Sequence, residues 1–194
     1  MTADPIALFG EAFARAKARG EQDPTAMTLA TVDHEHRPSV RVVLLKDFDA
    51  RGFVFYTNRL SRKGRELDGF PFAALCFHWP KGEEQIRIEG AVTRVTDEES
   101  DAYFATRPRG SQIGAWASLQ SEVLASRDAL LARVAEVEAR FEGGPVERPP
   151  HWGGYRVMPR AIEFWQGRAD RLHERRSFAR EVATGAWVET RLFP

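Results

Sequence analysis

Three clusters of basic side chains contain most of the residues in this sequence that could bind a ligand. The first runs from Arg41 to Arg65, and its end has four cations in seven residues: Arg59, Arg62, Lys63 and Arg65. The other two combine arginines with hydroxyl, amide or imidazole groups: Arg107, Arg109, Ser111, Gln112, Gln120 and Ser121, then Arg168, Arg171, His173, Arg175 and Arg176. Several such groups together recognise phosphate, because arginine donates in a fork and lysine supplies a point charge. The clusters predict binding of more than one anionic group; the alternative for each is a solvated basic surface.

Motifs for other kinds of ligand are absent from the sequence. It contains no GxGxxG or GxxxxGK[ST] nucleotide loop and no GxSxG nucleophile motif. Of the five histidines only His34 and His36 lie close together, and no cysteine or carboxylate set accompanies them at metal-ligand spacing. We therefore expect no metal site.

Length and composition predict one ordinary soluble domain. The chain has 194 residues, 43% of them hydrophobic and 29% charged, and its net charge is zero. No global field therefore recruits nucleic acid or a membrane, and local clusters must bind any anion. The one cysteine, Cys76, excludes an internal disulfide, and the N-terminus lacks the basic and apolar regions of a signal peptide. We expect a single cytoplasmic domain over residues 1–194, without nucleic-acid or membrane partners.

Helices and strands follow from capping residues and hydrophobic spacing. Capping signals predict helices over residues 5–19, 97–106, 111–117 and 127–142, the second opened by a capping box of Thr96 and Glu99. Alternating or β-branched stretches predict six to eight short strands, mostly in hairpin order. The expected fold is an antiparallel β-barrel with flanking helices, of the α+β class.

The strand at residues 41–46 is expected to pair with residues 53–57 through a turn at Asp49 to Gly52. In a regular strand Arg41 and Lys46 would face opposite sides, because an odd number of residues separates them. One site for both cations would require a bulge or a twist, whereas two anions on different sides would not. We therefore expect Arg41 and Lys46 to bind two anions on different sides of the strand.

Six segments resemble, in order and spacing, the pyridoxamine (pyridoxine) 5'-phosphate oxidases: RVVLLK, FVFYTNRLSRK, YFATRPRGSQIGAW, LQS, IEFWQG and DRLHER. The resemblance covers Asp4 to Pro194. It implies an FMN-binding split barrel that works as a homodimer. The implied reaction oxidises pyridoxamine or pyridoxine 5'-phosphate to pyridoxal 5'-phosphate with O2 as acceptor. Hydrogen peroxide is released, together with ammonia from the amine.

The resemblance also implies roles for individual residues. Those expected to hold FMN, some from the partner chain, are Arg41, Val42, Val43, Leu44, Leu45, Lys46, Tyr56, Thr57, Arg62, Lys63, Gln85, Gln120, Ser121, Trp165 and Arg175. Those expected to bind the substrate are Lys46, Tyr103, Arg107, Ser111, Arg171, Leu172 and His173. The first four would grip its phosphate, and Arg171 and His173 would lie over the pyridine ring as catalytic residues. Taken singly, Tyr103 and Trp165 could be packing residues, and Arg171 and Arg175 an exposed ion-paired ladder.

The sequence departs from the family pattern in three places. Glu84 stands where the family usually has arginine, Gly110 replaces the usual aspartate, and the basic, aromatic N-terminal arm of many members is missing. We expect these changes to affect affinity and closure of the site more than its chemistry.

Two other functions stay open. A phenazine-pathway flavin oxidase would share the barrel and the RLHER ending, but its substrates lack the phosphate that Lys46, Arg107 and Ser111 would bind. A non-catalytic flavin or pyridoxal-phosphate carrier would not need Arg171 and His173 over the ring.

Overall fold

The structure is a computed structural model that describes residues 3–194. Within these residues the chain forms one sheet of nine strands, with five α-helices. The helices are α1 (Pro5–Ala18), α2 (Arg62–Gly69), α3 (Asp97–Ala105), α4 (Arg109–Ala117) and α5 (Arg127–Arg140). The strands are β1 (Ala26–Val32), β2 (Pro38–Leu44), β3 (Asp47–Asp49), β4 (Gly52–Asn58), β5 (Phe72–Trp79), β6 (Glu84–Arg94), β7 (Trp152–Gln166), β8 (Glu174–Arg180) and β9 (Trp187–Leu192). None of the helices in this part of the chain is long and apolar enough to cross a membrane.

Strand β7 is the centre of the sheet. The strand order is β2-β1-β5-β6-β7-β4-β3, and β8 and β9 branch from β7. Residues 152–157 of β7 pair with β4, and residues 161–166 pair with β8. The sheet therefore divides along β7, and all of its pairings are antiparallel. This confirms the predicted antiparallel split barrel with flanking helices, although it has nine strands instead of six to eight.

The division of β7 occurs at a bulge. Pro159 lies opposite Gly90 in β6, where the register between the two strands shifts. A Cβ atom on Gly90 would lie 1.9 Å from the carbonyl oxygen of Met158, so only glycine allows this close approach. Proline is tolerated inside a strand at such a bulge, so β7 continues through Pro159 as one long strand.

The predicted pairing of residues 41–46 with residues 53–57 is wrong. Strand β2 pairs with β1, and β4 pairs with β3 and β7; the turn at residues 49–52 joins β3 to β4. The physical reason is the preceding turn, in which the Asp33 carboxylate accepts the backbone N–H groups of Glu35 and Arg37. This turn closes the β1–β2 hairpin before the chain reaches β4.

The basic segment after β4 forms helix α2, which was not predicted. Ser61 caps the helix by accepting the backbone N–H of Gly64, and Leu67 anchors it in the core. The segment RKGRELDG is polar and contains two glycines, so it has little apolar periodicity from which a helix could be recognised.

Two apolar clusters pack the helices against the strands. In the larger cluster, Phe9 of α1 contacts the rings of Phe53, Phe77 and Trp79 inside the sheet. The smaller cluster joins α3 and α4 to the start of β7 through Phe104, Ile113 and Trp152, and Val134 and Val137 of α5 pack against it. The capping box of Thr96 and Glu99 at the start of α3 is confirmed.

Candidate functional site

A cleft of about 850 Å³ lies where β2, β4 and α2 meet the α3–α4 region, and we call it the basic cleft. Its volume falls in the range of about 300–1,000 Å³ that is typical of small-molecule sites. Its lining includes these residues implicated from the sequence: Arg41, Val42, Val43, Leu44, Lys46, Tyr56, Thr57, Lys63, Tyr103, Arg107, Ser111 and Gln120. The structure therefore brings together much of the first two clusters.

Lys63 is a buried cation without a carboxylate partner in the described part of the chain. Its ammonium donates to three neutral oxygens: Thr57 Oγ1 at 3.3 Å, Ser61 Oγ at 3.4 Å and Gln120 Oε1 at 3.1 Å. Burial lowers the pKa of Lys63, and the positive charge of Arg41 lowers it further. A buried charge that only neutral groups solvate is stabilised by an anionic ligand.

Arg107 has the most informative unsatisfied group in the cleft. Its guanidinium carbon lies 4.7 Å from the ring centre of Trp152 and 5.5 Å from that of Phe104. Burial lowers the pKa of Arg107, and its Nη1 is buried without a hydrogen-bond partner among residues 3–194. Buried donors in native proteins are normally paired, so a ligand acceptor is expected at this nitrogen.

Arg109, from the same basic cluster, is not part of the cleft lining. Its guanidinium donates to the carbonyl oxygens of Gly144 at 2.8 Å and Phe141 at 2.7 Å. It therefore ties the start of α4 to the end of α5, which is a structural role.

Two arginines of the first cluster meet at one buried carboxylate, Glu66. Arg41 Nη2 lies 3.0 Å from Oε2, and Arg62 Nε lies 2.8 Å from Oε1. Burial alone would raise the pKa of Glu66, but hydrogen bonds from Thr31, Ser39, Arg62 and Arg41 lower it to about 2. The sequence interpretation missed Glu66, Thr31 and Ser39. Only the i,i+4 spacing of Arg62 and Glu66 on a helix could have indicated this contact.

Arg41 and Lys46 line the same cleft, so the expectation that they face different sides is wrong. Strand β2 ends at Leu44. The backbone N–H of Leu45 then bonds to Thr25 O and that of Lys46 to Val54 O, each at 2.8 Å. The chain thus turns from one neighbour to the other at this point, which ends the alternation of a regular strand. The Leu45 side chain itself is buried in the core.

Three aromatic rings stand nearly parallel at one wall of the cleft. The centre of the Tyr56 ring lies 4.2 Å from that of Tyr103 and 5.2 Å from that of Trp152. Trp152 was not implicated from the sequence, although it lines the cleft. The alternative that Tyr103 is a packing residue is therefore correct in part, because its ring packs against Tyr56 and also faces the cleft.

Arg62 and Ser121 lie beside the cleft and do not belong to its lining. The backbone N–H of Arg62 donates to Ser121 Oγ at 3.1 Å, and Ser121 has a positive φ of 77°. This bond joins the start of α2 to the segment that carries Gln120.

The remaining implicated residues lie in a second region, which we call the β8 edge: Gln85, Trp165, Arg171, Leu172, His173 and Arg175. Gln85 pairs with Trp165, which pairs in turn with Arg175 across the sheet. The His173 ring centre lies 4.6 Å from that of Trp165, and His173 Nδ1 accepts the backbone N–H of Arg168 at 3.1 Å. None of the β8-edge residues lines the basic cleft, so the described chain does not unite the two regions.

Glu84, where the resemblance led us to expect arginine, forms ion pairs with two arginines. Its buried carboxylate accepts hydrogen bonds from Arg15 at 3.0 Å and Arg19 at 2.5 Å, both from the end of α1. Both carboxylate oxygens of Glu84 are therefore paired with arginines.

Comparisons with known proteins show the family to which the chain belongs. The family model described as pyridoxamine 5'-phosphate oxidase matches residues 14–141. The model described as the pyridoxine 5'-phosphate oxidase C-terminal dimerisation region matches residues 152–194. Two curated relatives carry the name pyridoxine/pyridoxamine 5'-phosphate oxidase. The one from Myxococcus xanthus (strain DK1622) is 60% identical over 98% of this chain and 92% of its own length. The one from Rubrobacter xylanophilus is 58% identical over 98% of this chain and 87% of its own.

Solved structures show the same fold. PhzG from Burkholderia lata 383, determined with tetrahydrophenazine-1-carboxylic acid, has a TM-score of 0.93 at 35% identity, covering 100% of this chain and 94% of that one. A pyridoxamine 5'-phosphate oxidase-related, FMN-binding protein from Nostoc punctiforme has a TM-score of 0.77 at 18% identity, covering 100% and 98%. The second likeness concerns the fold alone. With both family models and the curated relatives in agreement, the chain belongs to the pyridoxamine 5'-phosphate oxidase family.

Proposed function

We propose that the chain is an FMN-dependent oxidase of pyridoxamine 5'-phosphate and pyridoxine 5'-phosphate. The product is pyridoxal 5'-phosphate, with O2 as acceptor and hydrogen peroxide as by-product; the amine also releases ammonia. The observation that carries this proposal is the buried Nη1 of Arg107, which has no hydrogen-bond partner among residues 3–194 and lies in a cleft that Lys46 and Ser111 also line. The names of the 58–60% identical relatives support the same reaction.

The substrate phosphate is assigned to Lys46, Tyr103, Arg107 and Ser111. A phosphate oxygen would accept a hydrogen bond from Arg107 Nη1, which the described part of the chain leaves unsatisfied, and Lys46 would add a point charge. Tyr103 is oriented for this role by its contact with the Tyr56 ring. These residues bind the substrate in the ground state and the transition state alike, so they supply affinity more than rate.

The residues of the basic cleft also fit FMN. Lys63 has no carboxylate partner in the described residues, and it lies beside Thr57 and Gln120, so the phosphate of FMN could pair with it. Arg41 and Arg62 converge next to it from β2 and α2. When bound, FMN supplies the two-electron chemistry of a flavin, and the protein supplies orientation. Arg171 and His173 would orient the pyridine ring from the β8 edge.

A homodimer would unite the two regions. The cleft and the β8 edge are separate in the chain, and residues 152–194, which contain most of the edge, match a dimerisation region. We propose that each site combines the cleft of one chain with the β8 edge of its partner. In a two-fold dimer this arrangement produces two equal sites.

The test is oxygen uptake by purified protein supplied with FMN. We expect uptake with pyridoxamine 5'-phosphate and little with unphosphorylated pyridoxamine, because the phosphate-binding residues then have no partner. Equal rates with both compounds would contradict the phosphate assignment and favour an oxidase of the PhzG type, to which the fold is also close. Flavin binding without any oxygen uptake would favour the carrier.

A further inference from the structure

Glu66 is the common acceptor of a directional hydrogen-bond network behind the basic cleft. Arginine can only donate, so the hydroxyl oxygens of Thr31 and Ser39 must accept from Arg41, each at 2.5 Å. Their own hydroxyl protons are then free to point at Glu66; the bond from Ser39 to Oε2 is 2.8 Å, and Thr31 also bonds to Oε2. The two hydroxyls thus relay the contact between the arginine and the carboxylate.

The network crosses three elements of the fold. Thr31 lies on β1, Ser39 and Arg41 lie on β2, and Glu66 lies on α2, one helical turn after Arg62. Thr31 and Ser39 are direct partners in the β1–β2 pairing, which places their hydroxyls side by side. The Glu66 side chain is only 5% exposed, and that of Arg41 is 19% exposed, so solvent cannot easily replace these bonds.

We propose that Glu66 is a positioning residue that holds Arg41 and Arg62 as a pair for the phosphate of the cofactor. This inference rests on the proposed function, in which both arginines contact FMN. All of the contacts to the carboxylate come from donors, so the site requires a group that only accepts. An ionised carboxylate meets this requirement, whereas an amide would present an NH2 group to two arginines.

The carboxylate also acts on the charge of the cleft. Burial and the nearby Arg41 lower the pKa of Lys63, and the negative charge of Glu66 opposes them. The negative charge of Glu66 therefore stabilises Arg41, Arg62 and Lys63 close together in the absence of a ligand. Without that charge the three cations would repel one another. Removing this negative charge leaves the cleft more positive. A loss of FMN affinity on its removal would therefore report lost orientation of the arginines and not lost positive charge.

The experiment compares FMN with riboflavin, the same flavin without its phosphate, in titrations of the flavin-free protein. We expect Glu66→Gln to weaken FMN about tenfold or more, as for the loss of a charged hydrogen bond, and to leave riboflavin affinity unchanged. With FMN saturating, kcat should stay within about twofold of the wild-type value, because the reacting rings are not displaced.

The matched control is Asp68→Asn on the same helix. Asp68 also accepts two bonds from an arginine, Arg94, at 3.2 and 2.6 Å, and it does not line the basic cleft. It should leave both flavin affinities unchanged. Equal weakening of FMN and riboflavin by Glu66→Gln would show a merely structural role and overturn the inference, as would unchanged FMN affinity.

Ser39→Ala covers the case in which Glu66→Gln does not fold. It removes one of the two relays but keeps the direct bond from Arg41 to Glu66, so it should weaken FMN less, roughly fivefold, without affecting riboflavin. Unchanged FMN affinity in this variant would overturn the inference on its own. A wild-type protein that binds FMN no tighter than riboflavin would instead overturn the proposed function, and the inference with it.

Discussion

The basic cleft and the β8 edge both contain several cations, but they differ in how these cations are neutralised. In the cleft, Lys46, Lys63 and Arg107 have no carboxylate partner within the described residues. At the β8 edge, Arg175 bonds to Glu163 at 2.9 and 3.0 Å, and two nearby arginines are also paired: Arg168 with Glu174 and Arg176 with Glu189. The cleft therefore has positive charge available for anions, and the edge is largely neutral.

This difference separates affinity for phosphates from placement of the ring. The available cations of the cleft fit phosphate groups, whereas the edge offers two aromatic rings, Trp165 and His173, in contact. Arg171 is the exception at the edge, because it is exposed and has no ion pair among residues 3–194. It also has a positive φ of 62°, as does the preceding Asp170 at 57°. Two successive non-glycine residues in this region carry backbone strain, which often accompanies a functional position.

The largest predicted effect tests the available charge of the cleft. Arg62→Ala combined with Lys63→Ala should weaken FMN by about 3 kcal/mol or more, because each charged hydrogen bond contributes roughly 1.5–3 kcal/mol. Titration of the flavin-free protein, followed by flavin fluorescence, measures the loss. Arg65→Ala is the control, because Arg65 belongs to the same cluster but bonds to Leu60 O and Glu122 instead. A double variant that purifies yellow with one FMN per chain would remove the cleft as the phosphate site.

How far the sequence predicts these two regions depends on the range of the contacts. The caps of α1, α3 and α5 are local signals, and the structure confirms them. Arg107 lies in the cleft and Arg109 lies outside it, because Arg109 is the one of the two that faces α5. Tertiary packing decides which arginine faces α5, and no local pattern in RPRGSQ indicates it.

The strand pairing shows the same limit. A Gly-bearing turn at residues 49–52 is correctly predicted, but the turn alone does not say which strand lies on its other side. The turn at Asp33 pairs β2 with β1, so β4 pairs with the short β3 and with β7 instead. Glu66 could not be assigned either, because its partners come from residues 31 to 62 and meet only after β1, β2 and α2 have packed.

The next effect in size contrasts one residue from each region. Arg171→Leu should lower kcat on the order of 10²-fold, because a ring misplaced by about 1 Å reacts that much more slowly. Arg107→Leu should instead raise KM, by about tenfold or more, and change kcat less, since it removes a contact made in both ground and transition states. Steady-state kinetics with pyridoxamine 5'-phosphate distinguish the two, once both variants are shown to retain FMN.

The result of that comparison can also reverse the assignment. If Arg107→Leu alone lowers kcat and Arg171→Leu leaves it unchanged, the cleft performs the ring placement and the edge supplies affinity. Arg160→Leu is a suitable control, because Arg160 is exposed and belongs to neither region.

The smallest predicted departure from wild type tests whether the two regions of one site come from different chains. A heterodimer of one Arg107→Leu chain and one Arg171→Leu chain is purified with two different affinity tags. If each site combines a cleft with the partner's edge, one of its two sites carries both substitutions and the other carries neither. Such a heterodimer should have about half of the wild-type activity at low substrate concentration, although each variant homodimer is nearly inactive. If cleft and edge of the same chain form the site, every site carries one substitution, and the heterodimer stays as inactive as the homodimers.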